Sequence, residues 1–502
     1  MTEQQHPDSA EDEVPEQMRV RREKRQRLLA EGTEAYPVAV RRTHTLREIR
    51  ETYDAQELEP DTRTGDVVSV VGRVIHLRNT GKLCFVRLRE GDGTELQAML
   101  SLAEVGEQSL ADFKALVDLG DYLEVTGEVV TSRRGELSVQ GTAWAMVAKA
   151  LRPLPNEHRP LSDEARVRMR YLDLVVNPES REMVRIKAAV LKSLRRTLDE
   201  RDFIEVETPI LQLTNGGAAA RPFRTHLNAF DQTMLLRIAL ELDLKKAMIG
   251  GVDKVYEIGR TFRNEGLDST HAAEFSMLEA YEAYGDIETM KELVQSLVVN
   301  AARAVDRTVV TARNGETIDL EQPWQSRSLL DLVSEAVGVT VTMDTPLDEL
   351  VKLAEDREIE LHASWNAGEI VLELYEQLVE HTLMQPTFVE DYPESVRPLA
   401  KPHRSKQGLV EAFDLIINGV ELTAAYSELN DPVIQRLRLE KQSLLAAHGD
   451  PEAMDLDESF LRAMEHGMPP AGGMGIGVDR LVMLLTGAGI RETILFPLLR
   501  PE

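Results

Sequence analysis

The chain has 502 residues, of which 42% are hydrophobic and 29% are charged, and its formal net charge is -28. At roughly 150 residues per domain, this length predicts about three units, or two unequal domains with an insertion. The acidic balance excludes sequence-independent nucleic-acid binding over the whole surface. No apolar run approaches the ~18 residues that cross a membrane, so no membrane partner is expected, and the polar N-terminus predicts a cytoplasmic location.

One cysteine, Cys84, is present. A lone cysteine excludes an intrachain disulfide and a cysteine-based zinc site. Its apolar neighbours Leu83, Phe85 and Val86 predict a buried structural thiol.

The N-terminal region is polar and then strongly basic. Residues 1–17 are predicted to be a disordered tail, and residues 18–65 a basic helix ending at Gly32 with its lead-in. Residues 19–27 (RVRREKRQR) hold six basic residues against one glutamate. This run fits either a local RNA-binding patch or a solvated helix face.

Residues 66–151 are short Val-, Leu- and Thr-rich runs separated by glycines. About five strands in this length predict a small closed barrel of the OB type, a fold that often binds single-stranded nucleic acid. The prolines at 153 and 155 predict a linker, taken as residues 152–180.

A larger domain is predicted for residues 181–502. Ile186, Val190, Leu194 and Leu198 recur every fourth residue, which predicts a helix with one apolar face. The segment 203–209 (FIEVETP) is extended and stopped by proline. Residues 252–282 and 410–430 are predicted strands, and about 285–400 a helical insertion.

A strand over 274–281 would place Phe275, Met277, Glu279 and Tyr281 on one face, because side chains alternate along a strand. That face offers an aromatic ring, a carboxylate and a phenol in a row. The alternative is an exposed hairpin with surface charges.

The segment 414–421 (DLIINGVE) has an Asn-Gly pair between apolar runs, a strong hairpin signal. With Asn418 and Gly419 as the loop, Asp414 and Glu421 become diagonal neighbours about 7–8 Å apart. Two carboxylates at that separation suit a divalent cation. Solvated surface charges are the alternative.

The glycine run 472–477 leads into 478–485 (VDRLVMLL), which predicts a strand turning into a buried helix. Glycines allow a ligand to approach the backbone closely, and Arg480 at the turn can contact a phosphate or an aromatic base.

These segments together resemble the class II aminoacyl-tRNA synthetases, most closely lysyl-tRNA synthetases of the bacterial type. Residues 203–209 look like motif 1 of that family, 262–275 like motif 2 and 473–480 like motif 3. The lysine-type segments are 216–223 (GGAAARPF), 425–432 (AYSELNDP) and 494–497 (ILFP). The resemblance runs from about residue 18 to the end.

The resemblance implies an α+β fold, with an N-terminal OB barrel that reads the anticodon and an antiparallel catalytic sheet flanked by helices. It implies a homodimer formed through motif 1. The implied reaction is the ATP-dependent ligation of L-lysine to tRNA(Lys) through a lysyl-adenylate, with Mg2+ as cofactor.

The resemblance also assigns roles to individual residues. Those implied to bind lysine are Gly216, Glu241, Arg263, Glu279, Tyr281, Tyr426 and Glu428. Those implied to bind ATP are Arg263, Glu265, His271, Phe275 and Arg480, with Arg263 and Arg480 as the catalytic pair. Asp414 and Glu421 are the implied magnesium ligands. The implied anticodon contacts are Arg73, Arg78, Phe85 and Gln97, and a buried core position is the alternative for Phe85.

The chain departs from the family pattern at Leu240, Asp243, Ala272, Ala273 and Ala424, and Asp414 stands where glutamate is common. Hydrogen bonds lost at 272 and 424 are each worth roughly 0.5–1.5 kcal/mol, which predicts weaker substrate binding with the chemistry retained.

Three hypotheses follow: a lysine ligase, a duplicated synthetase-like paralogue with altered amino-acid or inhibitor specificity, and a non-catalytic RNA-binding relative. The presence of both Arg263 and Arg480 counts against the last.

Overall fold

The computed structural model describes residues 15–155, 160–268, 270–362, 365–447 and 454–500. The chain divides into two compact units, Met1–Arg181 and Glu182–Glu502. The tail prediction for residues 1–14 lies outside the described residues. Among those described, no helix combines the length and apolar character needed to span a bilayer.

The first unit is built on a closed five-stranded barrel with strand order β1-β2-β3-β5-β4. Alternate residues of each strand fill the interior, as for Val86 and Leu88 on β2. Cys84 belongs to this core, which confirms the buried thiol. The strands are β1 (Arg63–Asn79), β2 (Leu83–Arg89), β3 (Glu95–Ser101), β4 (Tyr122–Thr131) and β5 (Leu137–Ala148).

Helices of the first unit are α1 (Glu16–Ala30), α2 (Leu46–Tyr53), α3 (Leu102–Val105), α4 (Glu107–Leu116), α5 (Asp163–Arg168) and α6 (Arg170–Val176). The basic helix α1 begins two residues before the predicted start. Arg21 is buried and donates to the Ala150 and Leu119 carbonyls, and Lys24 pairs with Asp118 at 2.6 Å. Part of the basic run therefore attaches α1 to its own unit.

The prolines at 153 and 155 indicated only the start of the predicted linker. Helices α5 and α6 follow within it, and Asp173 of α6 is buried. Its carboxylate accepts from Arg170 at 2.9 Å and from Ser180 at 2.6 Å.

The second unit is built on an eight-stranded sheet with order β14-β15-β16-β17-β18-β11-β10-β6. Its central strands pair antiparallel, whereas β14 and β6 pair parallel at the two edges. The strands of this unit are β6 (Ile204–Glu205), β7 (Leu211–Gln212), β8 (Arg224–Leu227), β9 (Gln232–Leu236), β10 (Lys254–Phe262), β11 (Glu274–Ala283), β12 (Val309–Thr311), β13 (Thr317–Asp319), β14 (Gln325–Ser328), β15 (Thr387–Pro393), β16 (Leu409–Ile417), β17 (Val420–Ser427) and β18 (Ala471–Gly477).

Helices cover the sheet. They are α7 (Pro178–Asp199), α8 (Glu241–Ile249), α9 (Ile287–Ala304), α10 (Leu329–Val337), α11 (Leu347–Glu355), α12 (Ala367–Leu378), α13 (Pro432–Ala447), α14 (Glu458–Glu465), α15 (Val478–Thr486) and α16 (Ile490–Thr493). The predicted apolar face of α7 is confirmed, because Ile186, Val190, Leu194 and Leu198 are all buried in the main core with residues of α9.

The prediction of a helical segment over 285–400 is wrong in part. Helices α9 to α12 lie there, but so do strands β12 to β15, and β14 and β15 belong to the central sheet. Strand β14 has four residues, and it pairs with β15 from about sixty positions away. A local sequence pattern does not encode such non-local pairing.

The hairpin of β16 and β17 turns at Asn418 and Gly419, as predicted, and both have positive φ, at 57° and 65°. Ile416 lies opposite Glu421. The register then shifts, so Asp414 lies opposite Ala424 and not opposite Thr423. The simple diagonal geometry expected for Asp414 and Glu421 is therefore wrong, because a bulge intervenes.

Candidate functional site

A cavity of about 340 Å³ opens on one face of the eight-stranded sheet. Strands β11, β17 and β18 form its floor, since each contributes several residues to the lining. Phe275, Met277, Glu279 and Tyr281 of β11 all line the cavity, whereas Leu278 lies in the core behind. The predicted shared face is confirmed, and the exposed-hairpin alternative is wrong.

One end of the cavity is acidic. Glu241 at the start of α8 and Glu428 after β17 both line it and are buried. Between them lies the fully buried ammonium of Lys245, whose Nζ is 2.5 Å from each carboxylate. Glu428 Oε2 is occupied by this ion pair, whereas Oε1 has no hydrogen-bond partner among the described residues. An incoming ammonium would therefore find one open acceptor, Oε1.

Burial governs the protonation of this end. Burial alone would lower the pKa of Lys245, but Glu241 and Glu428 outweigh it, so the pKa is raised and the ammonium stays charged. Burial raises the pKa of Glu428, and Lys245 only partly opposes the shift. Burial and then repulsion from Glu241 raise the pKa of Glu279 to about 7.

Glu279 is held by hydrogen bonds on both oxygens. Its Oε1 accepts from the Leu240 backbone N–H at 2.9 Å, and its Oε2 accepts from the Tyr281 hydroxyl at 3.0 Å. Leu240 thus contributes a backbone N–H, which the proline usual in the family at this position would lack.

Gly473 of β18 makes room for this end. A Cβ on Gly473 would lie 2.0 Å from Glu428 Oε1 and 2.4 Å from Tyr281 Cε1. A side chain of any size there would displace the carboxylate and the phenol, so glycine is required by close packing.

The other end of the cavity is basic and aromatic. The Arg263 guanidinium carbon lies 5.3 Å from the Phe275 ring centroid, and Arg263 Nε is buried without a hydrogen-bond partner among the described residues. Arg480 on α15 donates to the Glu421 carbonyl at 2.7 Å. Both arginines line the cavity, and two guanidinium groups at one end suit a polyanion.

The loop between β10 and β11 closes this end. Glu265 and His271 both line the cavity. His271 contacts Asp268 at 2.8 Å, and Glu265 accepts from the Arg221 backbone N–H at 3.2 Å. Ala272 also lines the cavity and presents no polar group there.

Most of the predicted pocket residues thus meet in one cavity, but two do not line it. Gly216 is buried behind the wall, where Gly217, Ala218 and Ala219 form the surface instead. Asp414 is buried behind Arg397, which does line the cavity. The replacement Asp243 lies outside the lining and pairs with Lys246 at 3.2 Å.

Asp414 and Glu421 offer carboxylate oxygens of the kind that a divalent cation binds, and Arg397 holds Oδ2 of Asp414. Its Oδ1 is buried without a hydrogen-bond partner among the described residues, and Glu421 lies close enough to interact with it electrostatically. Within the described part of the chain, no set of three or more Asp, Glu, His or Cys side chains could hold a metal by itself. A Mg2+ here would complete its shell with substrate oxygens and water, as Mg2+ usually does.

Sequence reasoning missed two charged residues of the site. Lys245 follows Glu241 by one helical turn, so the i,i+4 spacing was a usable signal for their contact. Arg397 gave no local signal, because it reaches Asp414 from the separate connection between β15 and β16.

The outer face of the barrel carries the predicted anticodon residues. Phe85 is partly exposed, its neighbours Cys84 and Val86 point into the core, and Arg78 stacks on its ring at 4.5 Å. The core alternative for Phe85 is therefore wrong. Gln97 donates to Ser138 at 2.9 Å.

Arg73 is already engaged within the barrel. It donates to the Gly120 carbonyl at 3.1 Å and to the Tyr122 hydroxyl at 3.0 Å. Its guanidinium also lies 4.3 Å from the Tyr122 ring centroid.

Comparison with known proteins gives two family matches. The family described as tRNA synthetases class II (D, K and N) matches residues 162–500, and the OB-fold nucleic acid binding domain matches residues 68–147. The chain is 52% identical over 497 residues to a lysine–tRNA ligase of Mycolicibacterium gilvum, covering 98% of this chain and 99% of the relative. It is 52% identical over 498 residues to the lysine–tRNA ligase of Kineococcus radiotolerans, covering 99% of each.

A longer relative has a different name. The chain is 49% identical over 501 residues to the lysylphosphatidylglycerol biosynthesis bifunctional protein LysX of Mycobacterium marinum. That match covers 99% of this chain and 44% of the relative.

Proposed function

Because the chain belongs to the class II aminoacyl-tRNA synthetases, within the lysine–tRNA ligase family, we propose that it ligates L-lysine to tRNA(Lys) with ATP. One observation carries the proposal. A single cavity joins a buried cluster of carboxylates to a pair of arginines beside an aromatic ring. The carboxylate cluster suits a diamine, and the arginines with the aromatic ring suit a nucleotide.

Lysine enters with its ε-ammonium toward Glu428. Tyr281 and Glu279 complete that end, Tyr426 packs beside it, and Glu241 receives the α-amino group. Buried carboxylates reject an uncharged side chain strongly, because such a substrate would leave Glu428 Oε1 without a donor. Selectivity for an amine therefore follows from burial as much as from charge.

In the first step an oxygen of the lysine carboxylate attacks the α-phosphorus of ATP. The new bond is the mixed anhydride of lysyl-adenylate, and the bond to the β-phosphate oxygen breaks to release diphosphate. The carboxylate is already ionised, so no general base is needed. Arg263 and Arg480 position the phosphates and neutralise their charge, while Phe275 stacks on adenine and Glu265 and His271 contact the nucleotide.

Magnesium ligation is part of the proposal. Asp414 and Glu421 are the residues that would hold Mg2+, which supplies charge neutralisation for the phosphates when bound.

In the second step a terminal ribose hydroxyl of tRNA attacks the lysyl carbonyl. An ester forms, the anhydride bond breaks and AMP leaves. The barrel serves this step by binding the anticodon on its outer face, through stacking on Phe85 and contacts from Arg73, Arg78 and Gln97.

A homodimer in the cytoplasm is the proposed working form. Exposed apolar side chains cluster in the segment expected at the dimer interface, with exposures of 55% for Ile204, 44% for Ile210 and 67% for Leu213. Exposed apolar clusters of this kind are typical of association surfaces. Sedimentation analysis of the protein and of an Ile204→Glu variant tests this; monomeric wild-type protein would reject it.

Charging of tRNA(Lys) with radiolabelled lysine tests the proposed reaction. We expect lysyl-tRNA formation that requires ATP and is lost in Glu428→Gln, with Glu458→Gln on the exposed face of α14 as the matched control. Tight tRNA binding without charging would instead support the non-catalytic alternative.

A further inference from the structure

Arg397 lies between Asp414 and the cavity. It follows the short helical turn Glu394–Val396 in the connection from β15 to β16. Its Nη2 donates to Asp414 Oδ2 at 2.6 Å, and its guanidinium carbon lies 4.4 Å from the Tyr392 ring centroid. Arg397 lines the cavity and Asp414 does not. A ligand that reaches this wall therefore meets the arginine first.

Two polar atoms of this pair make no well-aligned hydrogen bond. Arg397 Nε and Asp414 Oδ1 are both buried without such a bond among the described residues, and the Tyr392 hydroxyl lies near the Asp414 carboxylate. An unsatisfied buried polar atom costs roughly 1–3 kcal/mol, so native structures rarely keep one without a ligand. The Nε donor suits an oxyanion.

The surroundings of this pair are acidic. Glu421, Glu376 and Glu380 interact electrostatically with one another and with Asp414, and Glu373 acts on Glu376. The cations that oppose these carboxylates are Arg397 and Arg480, so loss of Arg397 would leave the group more attractive to another cation.

We propose that Arg397 is a further anion-binding and positioning residue of this site, which binds an oxygen of the substrate phosphate or carboxylate. Its guanidinium also offsets the negative charge of Asp414. Ala424, directly opposite Asp414 in the strand pairing, offers no side-chain donor, so Arg397 supplies one to this part of the wall. The inference rests on the proposed function, since the oxyanions are those of ATP and L-lysine.

Binding measurements without turnover test the proposal. Calorimetry would compare wild-type protein with Arg397→Gln and Arg397→Lys, using ATP in excess EDTA and, separately, L-lysine without ATP. The matched control is Arg404→Gln, an arginine of the same connection that pairs with Glu411 and Asp286 outside the cavity lining. Mn2+ binding without nucleotide, followed by electron paramagnetic resonance, gives an independent readout.

We expect Arg397→Gln to lower the affinity for either ATP or L-lysine by about 10-fold to 100-fold, the loss typical of a charged hydrogen bond. Loss of ATP affinity identifies the phosphate as the anion, and loss of lysine affinity identifies the carboxylate. Mn2+ should bind more tightly to Arg397→Gln, because a competing cation is gone. Arg397→Lys should keep wild-type Mn2+ affinity and lose ligand affinity, and Arg404→Gln should match wild type in every assay.

Unchanged affinity for both ligands in Arg397→Gln, or unchanged Mn2+ binding, would overturn the inference. If Arg397→Gln does not fold, the measurements on Arg397→Lys replace it. Wild-type affinity of Arg397→Lys for both ligands would then overturn the anion-binding role. Failure of the proposed function would show differently, as wild-type protein that does not charge tRNA.

Discussion

The ammonium of Lys245 lies 2.5 Å from a carboxylate oxygen of Glu428, and both side chains are fully buried. Glu241 lies at the same distance from this ammonium, and Glu279 shares the same end of the cavity. Glu241 and Glu428 thus share one internal cation. Their combined negative charge favours a second ammonium, which the substrate supplies.

Replacement of Lys245 by methionine should destabilise the ligand-free protein by about 3–5 kcal/mol, because it leaves buried carboxylates without their counter-ion. L-lysine should then raise the melting temperature of the variant more than that of wild type. Thermal unfolding with and without lysine measures both effects. Lys246→Met, which removes a partly exposed pair with Asp243, should cost less than about 1 kcal/mol; equal costs for the two variants would contradict the account.

Gly473→Ala should raise the KM for lysine by at least about 10-fold, since the added Cβ would displace Glu428 and Tyr281. Gly475→Ala on the same strand is the control. Its Cβ would lie 3.4 Å from Met277 and 3.5 Å from Glu279, so a milder effect is expected. Steady-state kinetics with lysine varied at saturating ATP measures the difference, and a wild-type KM for Gly473→Ala would refute the packing argument.

Stability should depend on pH through Glu279, whose folded-state pKa of about 7 lies above the ordinary value of about 4.3. The native state therefore holds a proton that the unfolded chain has released between these values, and stability falls as pH rises through this window. Urea unfolding of ligand-free protein should show a loss of stability on the order of a few kcal/mol from pH 5 to pH 8. Glu279→Gln should show a smaller loss, with the remainder coming from other buried carboxyls of raised pKa such as Glu428. Parallel pH profiles for the two proteins would count against this prediction.

Phe85→Ala should weaken tRNA binding without affecting adenylate formation. Stacking of a base on an aromatic ring is worth roughly 1–3 kcal/mol, so the KM for tRNA should rise about 10-fold or more. Val67→Ala, which removes an exposed apolar side chain from β1 of the same barrel, serves as the control. A defect of Phe85→Ala in diphosphate exchange, which needs no tRNA, would show that the ring supports folding instead.

Much of this site could be predicted because short segments carry its geometry. Alternation along β11 was enough to place Phe275, Glu279 and Tyr281 on one face, and the Asn-Gly pair fixed the turn of the β16–β17 hairpin. The apolar spacing of α7 likewise specified its buried face.

The remainder depended on contacts between distant segments. The bulge that moves Asp414 opposite Ala424 follows from packing in the sheet, and the placement of β14 beside β15 joins residues far apart in the chain. Arg397 enters the site from another connection. Its pairing with Asp414 required the three-dimensional structure.

The assignment to lysine is best tested by ATP–diphosphate exchange across the twenty amino acids, ornithine and hydroxylysine, with Mg2+ present. We expect exchange that L-lysine drives best, because a diamine satisfies both Glu241 and Glu428. Exchange driven best by another amino acid would contradict the lysine assignment and favour a specialised paralogue. No exchange with any of them would contradict the enzymatic function itself.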